Sequence, residues 1–122
     1  MLFYKKELGN RGEKEAVKYL RKIKQLKIIE TNYSNFFGEI DIIAKDKDYI
    51  VFVEVKTRTS TNFGFASQAV DYKKQQKIIK MAQMYTMDAY NIPVRFDIIE
   101  VYIDKTNNSV TNINHIENAF GV

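Results

Sequence analysis

The sequence predicts an α/β fold, a mixed sheet flanked by helices, in the order helix, three strands, helix, strand. Three observations lead there. Apolar residues recur at helical spacing near the N-terminus (Ala16, Val17, Leu20, Ile23) and again in the second half of the chain (Val70, Ile78, Met81, Ala82, Tyr85). Between them, Gly38 to Arg58, GEIDIIAKDKDYIVFVEVKTR, reads as two strands joined by a tight turn. Later, Val94 to Ile103 alternates and then becomes almost continuously apolar, which suits a central or near-central strand. Helices and sheets that each carry an apolar face bury it against one another, so a layered α/β arrangement is the expected solution.

The bulk properties narrow the chemistry. With 122 residues, positions 1–122 are expected to form a single domain. An apolar content of 45% excludes a wholly disordered chain. No apolar run approaches a membrane span, and MLFYKKELGN lacks a signal peptide's long apolar region, so no membrane partner is expected. The absence of cysteine excludes a disulfide framework and a thiolate zinc site, which makes a reducing cytoplasm the simplest home. The single histidine, His115, sits in a polar tail segment and is expected to be exposed or on an edge strand. Any catalysis would therefore rest on carboxylates, lysines and a metal. A net charge of +4 permits a polyanionic partner without requiring one.

Taken in order, Leu8 to about Lys24 reads as the first helix. Asn10 is a candidate N-cap, with Glu13 three residues on as a capping-box-like partner. Glu13 also precedes the apolar stripe by three and four residues, so it extends the inward face; it can be a cap or an inward acid beside the hairpin. The outer face is basic, with Lys14, Lys18, Arg21 and Lys22, as on an ordinary solvated helix. Lys27 to Thr31 reads as a short strand, and Asn32-Tyr33-Ser34-Asn35 as a turn leading to Gly38.

The hairpin strands are Glu39 to Lys45 and Tyr49 to Thr57, with Lys47 and Asp48 as a two-residue loop. Pairing Asp46 with Tyr49 then places Asp41 opposite Glu54 and Glu39 opposite Lys56. The pleat puts Ile40, Ile42 and Ala44 with Val51, Val53 and Val55 on one face, and Asp41, Glu54 and Lys56 on the other. Carboxylates directly across a strand pair repel. A divalent cation between them reverses that sign, and oxygen ligands select Mg²⁺ or Mn²⁺. Lys56 would then face whatever anion the metal recruits. The plainer alternative is a solvated hairpin face with scattered charges.

Asp41, Glu54 and Lys56, as Asp-x(n)-Glu-x-Lys on a hairpin, resemble the PD-(D/E)XK nuclease superfamily. The fuller string GEIDIIA…FVEVKTR is similar, more narrowly, to the bacterial YraN-like family of small proteins within it. That resemblance runs from Glu13 through Asp97 and implies a restriction-endonuclease-like α-β-β-β-α-β core. It implies a metal-dependent endonuclease acting on DNA in repair or recombination, similar in kind to archaeal Holliday-junction resolvases. Asp41 and Glu54 would hold Mg²⁺ or Mn²⁺ with help from the Val55 carbonyl, Lys56 would act on the water or the transition state, and Glu13 would be the helix-one glutamate of the superfamily. Glu39 is an auxiliary acid. The family pattern usually has an arginine where this chain has Ser34, so one basic contact is missing.

Beyond the hairpin, Thr57 to Asn62 is polar and reads as a mobile loop ending in Phe63-Gly64-Phe65. Thr57 and Arg58 are candidates for phosphate contacts, by hydroxyl and by charge, although Arg58 also suits a merely exposed position. The second helix is expected from about Ser67 to Ala89. Lys74 interrupts its apolar stripe and needs a partner, either the carboxylate cluster or a phosphate, unless its stem snorkels to water. The resembling family also has a lysine there, which makes Lys74 an auxiliary site residue. Its neighbour Lys73 is a candidate backbone contact or ordinary surface. Asp97, in the family-like Arg95-Phe96-Asp97, suits a salt bridge, and Val110 to Ile116 an edge strand.

Two other classes remain open on the sequence. One is a nucleic-acid-binding module whose site is silent or partner-activated; the other is a structural subunit of a repair complex. A homodimer would match a symmetric junction, though no stretch declares an interface.

Overall fold

The computed structural model describes residues 2–59, 70–87 and 91–121. The elements are α1 (Leu2–Lys22), β1 (Lys27–Asn35), β2 (Gly38–Asp46), β3 (Tyr49–Thr59), α2 (Tyr72–Tyr85), β4 (Val94–Ile103) and β5 (Val110–Phe120). The five strands lie in the order β1-β2-β3-β4-β5. Neighbours are antiparallel except β3 and β4, which are parallel. A parallel pair needs a crossover, and α2 lies in the connection that makes it. The result is the mixed α/β sheet that the order of elements predicts, with β4 one strand in from the edge strand β5.

Two cores sandwich the sheet. Ala16 and Leu20 of α1 pack with Ile42, Ala44, Val51, Val53, Val55, Ile99 and Val101. Ile78, Ile79, Met81 and Ala82 of α2 pack with Ile43, Phe52, Phe96 and Ile98 on the opposite face. Strand alternation explains the division on β3, where Val51, Val53 and Val55 face α1 and Phe52 faces α2. Val70, expected in the core, is fully buried under α2.

Several local expectations change. The first helix begins at Leu2, so Asn10 is an exposed residue inside it and not its N-cap. The segment ahead of Asn10 stays helical, and its Leu8 packs on the core. Ile23, expected on the apolar stripe, lies just past the helix and is 70% exposed. Strand β1 runs through the predicted Asn32–Asn35 turn, because Tyr33, Ser34 and Asn35 continue the ladder with Ile40, Glu39 and Gly38; the turn is Phe36-Phe37. Gly38, at φ 154°, follows that turn in a conformation that side-chain-bearing residues rarely adopt.

Strand β3 extends to Thr59 by pairing with β4 as far as Ile103, so Thr57 and Arg58 are strand residues and not loop. The remainder of the predicted loop, including Phe63-Gly64-Phe65, lies outside the described residues, as does the expected helix start at Ser67. Helix α2 starts after Asp71, whose carboxylate accepts the Lys74 N–H at 2.8 Å, and it stops at Tyr85 instead of Ala89. Strand β5 continues past Ile116 to Phe120.

Candidate metal centre

The β2–β3 hairpin turns at Lys47-Asp48 and pairs Asp46 with Tyr49, and its ladder continues to Ile42–Val53. Asp41 and Glu54 form no rung beyond it. Instead the Val55 N–H donates to Asp41 Oδ2 at 2.8 Å. The pleat is interrupted at the same place: Ile40 leaves the Ile42 and Ala44 face and joins the α2-side core. Asp41 thereby shares the α1 side with Glu13, contrary to the simple alternation that put Ile40 there. The end of the ladder is where the site forms.

Four elements converge on it. Glu13 comes from α1, Glu39 and Asp41 from β2, Glu54 and Lys56 from β3, and Lys74 from α2. Carboxylate oxygens of Glu13, Glu39 and Asp41 all lie within 4.8 Å of one another. Glu54, 6% exposed, faces α2, where Lys74 Nζ donates to its Oε1 at 2.7 Å. The expectation that Asp41 and Glu54 share one hairpin face thus gives way to an arrangement in which Asp41 meets the α1 acid and Glu54 the α2 lysine. Glu39, expected only as an auxiliary, belongs to this carboxylate group with Glu13 and Asp41. Lys74 reaches Glu54 from its position on the helical stripe, while 41% of its side chain stays exposed.

Glycine lets α1 approach so closely. A β-carbon at Gly12 would overlap the Thr57 side chain of β3. An isolated glycine inside a helical pattern is the sequence signal that points to such a contact. Thr57 therefore sits beneath α1, where its hydroxyl is directed at the helix and not at an open phosphate track.

Electrostatics hold the acids above their ordinary range. Burial pushes Asp41 up to about 6, and Glu13 beside it adds to the rise against the favourable Val55 N–H. Burial and the nearby Asp41 push Glu54 up to about 7, although Lys74 pulls the other way. Glu13 is raised as well, by burial and by Glu39 and Glu54, despite its bond with Asp41. Burial alone would lower Lys74, but Glu54 raises it and holds it charged. Lys56 is lowered, by burial first and by the adjacent Lys74 second. The donor set is entirely oxygen and carries more negative charge than Lys56 and Lys74 neutralise comfortably, which fits a hard divalent cation.

Other candidates fall elsewhere. Arg58 Nε donates to the buried Glu100 Oε2 at 3.2 Å, so Arg58, predicted as a phosphate contact or an exposed residue, is tied to β4 as an ion-pair partner, with 23% of its side chain exposed. Lys73 is exposed on a cleft of about 370 Å³ that Glu39, Lys74 and Lys77 also line. A second cleft, about 620 Å³, brings Lys14, Lys18 and Arg21 of the basic helix face beside Glu13 and Asp41. That face is thus a wall of the site. Helical spacing alone gave no sign of it, because β1 and β2 supply the opposite wall.

His115 and Asp97 lie apart from the acids. His115 is on the edge strand as expected, but its side chain is 4% exposed, with Nε2 at 2.8 Å from Asp97 Oδ2. Asp97 also accepts from Arg95 Nε and the Asn118 N–H, the structural ion pair that its sequence context predicts. Burial would raise Asp97, but His115, Arg95 and Asn118 together hold it below its ordinary value. Among the described residues no helix is long and apolar enough to cross a membrane.

The chain also matches known proteins in sequence. A profile described as "Uncharacterised protein family UPF0102" matches residues 12–101. The UPF0102 protein of Caldanaerobacter subterraneus subsp. tengcongensis is 53% identical, over 95% of this chain and 96% of its own. Those of Clostridioides difficile and Caldicellulosiruptor saccharolyticus are 50% and 45% identical, over 94% and 95% of this chain and 97% and 98% of theirs.

Proposed function

Since the chain belongs to UPF0102, the YraN-like family, and carries an oxygen-only acidic cluster beside two lysines, we propose that it is a Mg²⁺- or Mn²⁺-dependent endonuclease hydrolysing phosphodiester bonds in DNA. Structured or branched DNA is the expected substrate, as with Holliday-junction resolvases, in repair or recombination. One observation carries the reading: α1, β2, β3 and α2 bring Glu13, Glu39, Asp41, Glu54, Lys56 and Lys74 together where the β2–β3 ladder ends.

Asp41 and Glu54, with the Val55 carbonyl, are the residues that would hold the ion. Asp41 would do so from the α1 side and Glu54 from the α2 side at the end of the ladder, close enough for Asp41 to raise the Glu54 pKa. When bound, it would activate a water and offset the charge that develops on the phosphate. Glu13 and Glu39 extend the acceptor set and can orient water molecules beside Asp41. Lys56, half-buried beside Glu54 and Lys74 with its pKa drawn down by burial and by Lys74, can donate from Nζ to a water or a phosphate oxygen and stabilise negative charge there. Lys74 positions Glu54 through their 2.7 Å bond.

That same bond supports a second reading. Lys74 already occupies Glu54 Oε1, so the site can be one that stays silent until a partner or substrate draws Lys74 away, leaving a nucleic-acid-binding module in the meantime. Incubating labelled duplex, flap, single-stranded and four-way-junction DNA with Mn²⁺ or Mg²⁺ tests both. Cleavage of any of them by wild type and not by Asp41→Asn supports the endonuclease. Tight binding with no cleavage under either metal rejects it in favour of the binding module.

A further inference from the structure

We propose that the Phe36-Phe37 turn between β1 and β2 is a stacking site for an unpaired nucleotide next to the metal centre. The proposal rests on the nuclease reading for the identity of the ligand as a polynucleotide. Two-residue turns favour Gly, Asn, Asp and Pro, for conformational reasons that phenylalanine does not meet. Here Asn35 pairs with Gly38 across two phenylalanines, and the Asn35 side chain accepts the Phe37 N–H at 2.8 Å to shape the turn. Phe36 is left 94% exposed.

Its surroundings indicate the ligand. Phe37 is half-buried against the α2-side core and meets Phe36 edge-to-face, with ring centroids 5.5 Å apart. Lys80 Nζ lies 4.8 Å from the Phe37 centroid, and Lys73 and Lys77 share with Phe37 the cleft of about 370 Å³. Glu39, a member of the carboxylate group, opens onto that same cleft. A free aromatic face, three ammonium groups and the hydrolytic acids thus follow one another across a short surface. Sequence-tolerant single-strand binding uses that combination, with bases on aromatic rings and phosphates on cations. A fully paired duplex keeps its bases stacked inside and must unstack a base step before a ring such as Phe36 can reach them, so a substrate with an unpaired nucleotide beside the cut is favoured.

The test measures binding in Ca²⁺, which suppresses chemistry, with 2-aminopurine in a single strand and in a gapped duplex, alongside an intact duplex. Phe36→Ala should weaken binding to the unpaired substrates about tenfold, abolish the fluorescence change of the 2-aminopurine, and leave the intact duplex within about twofold. Phe36→Trp should restore affinity. Equal effects on paired and unpaired DNA, or no effect on either, would overturn the proposal. So would conversion of a dimer to a monomer by Phe36→Ala at unchanged DNA affinity, because the turn would then be a contact between copies. Cleavage by wild type with no Phe36 effect defeats only the stacking site. A Phe36-dependent signal without cleavage in Mn²⁺ defeats only the nuclease.

Discussion

Asp41 Oδ2 accepts the backbone N–H of Val55 at 2.8 Å, one residue beyond the last rung of the β2–β3 ladder on β2 and two beyond it on β3. The bond places a β2 carboxylate beside β3 where the two strands stop pairing. It is the contact around which the other acids gather, and substitutions there separate folding from function.

Asp41→Asn keeps an acceptor for the Val55 N–H while removing the charge. Two or three carboxylates and water form a sparse ligand set, so Mn²⁺ should bind weakly to wild type without DNA. Calorimetry or Mn²⁺ electron resonance should show that binding lost in Asp41→Asn and reversed by a chelator in wild type. Equal binding by both proteins would exclude this site.

Stability should respond to pH in a specific direction. The folded chain keeps protons on Asp41 up to about 6 and on Glu54 up to about 7, whereas the unfolded chain releases them near 3.8 and 4.5. Between those limits the native state binds more protons, so metal-free stability is greatest below about pH 4 for these groups and falls as pH rises to about 7. Asp41→Asn should flatten that decline and stabilise the metal-free protein at pH 8 by about 1–2 kcal/mol. Thermal melts across pH provide the check, and a lower melting temperature for Asp41→Asn at pH 8 would mean that Asp41 is a structural ion-pair residue.

Lys56→Ala should abolish cleavage, with a loss of about a hundredfold or more, while affinity for DNA in Ca²⁺ falls only by about one phosphate contact. Single-turnover cleavage in Mn²⁺ paired with binding at several salt concentrations measures both. Losses in equal proportion would make Lys56 a docking charge.

Arg58→Ala should act on stability. Glu100 is 1% exposed and also accepts from Tyr102 and Asn114, so losing Arg58 leaves its charge only partly compensated. We expect a loss of about 1–3 kcal/mol by denaturant unfolding, and little change in the salt dependence of DNA binding. A salt slope reduced by about one unit at unchanged stability would return Arg58 to the phosphate track.

Gly12→Ala normally improves a helix interior by about 0.5–1 kcal/mol. Here the new methyl group meets Thr57, so the substitution should instead destabilise by about 1–3 kcal/mol and displace Glu13. Thr57→Ala in the same chain should recover part of the loss. Stability of the single variant at or above wild type would show that α1 can move away at no cost.

Much of this protein is readable without a structure. The periods of 2 and 3.6 in apolar spacing assign the α/β class, strand β4 and the stripe of α2, because they depend only on a segment's own geometry. The two-residue loop at Lys47-Asp48 carries the hairpin register as far as Ile42–Val53. The inward direction of Lys74 and the need for a partner follow from the same spacing. What lay beyond reach depends on contacts between elements distant in the chain. A strand pattern says which residues share a face, but not where two strands stop pairing, so Asp41 was expected opposite Glu54 and instead reaches the Val55 N–H. Arg58 looked free because Glu100, 42 residues further on, becomes its neighbour only through the parallel β3–β4 pairing. Local periods and chain order set which acids and lysines are available and on which elements they lie; the packing of α1 and α2 on opposite faces of the sheet selects which of them meet, since that distance is set by tertiary contacts such as Gly12 against Thr57 and by no local period.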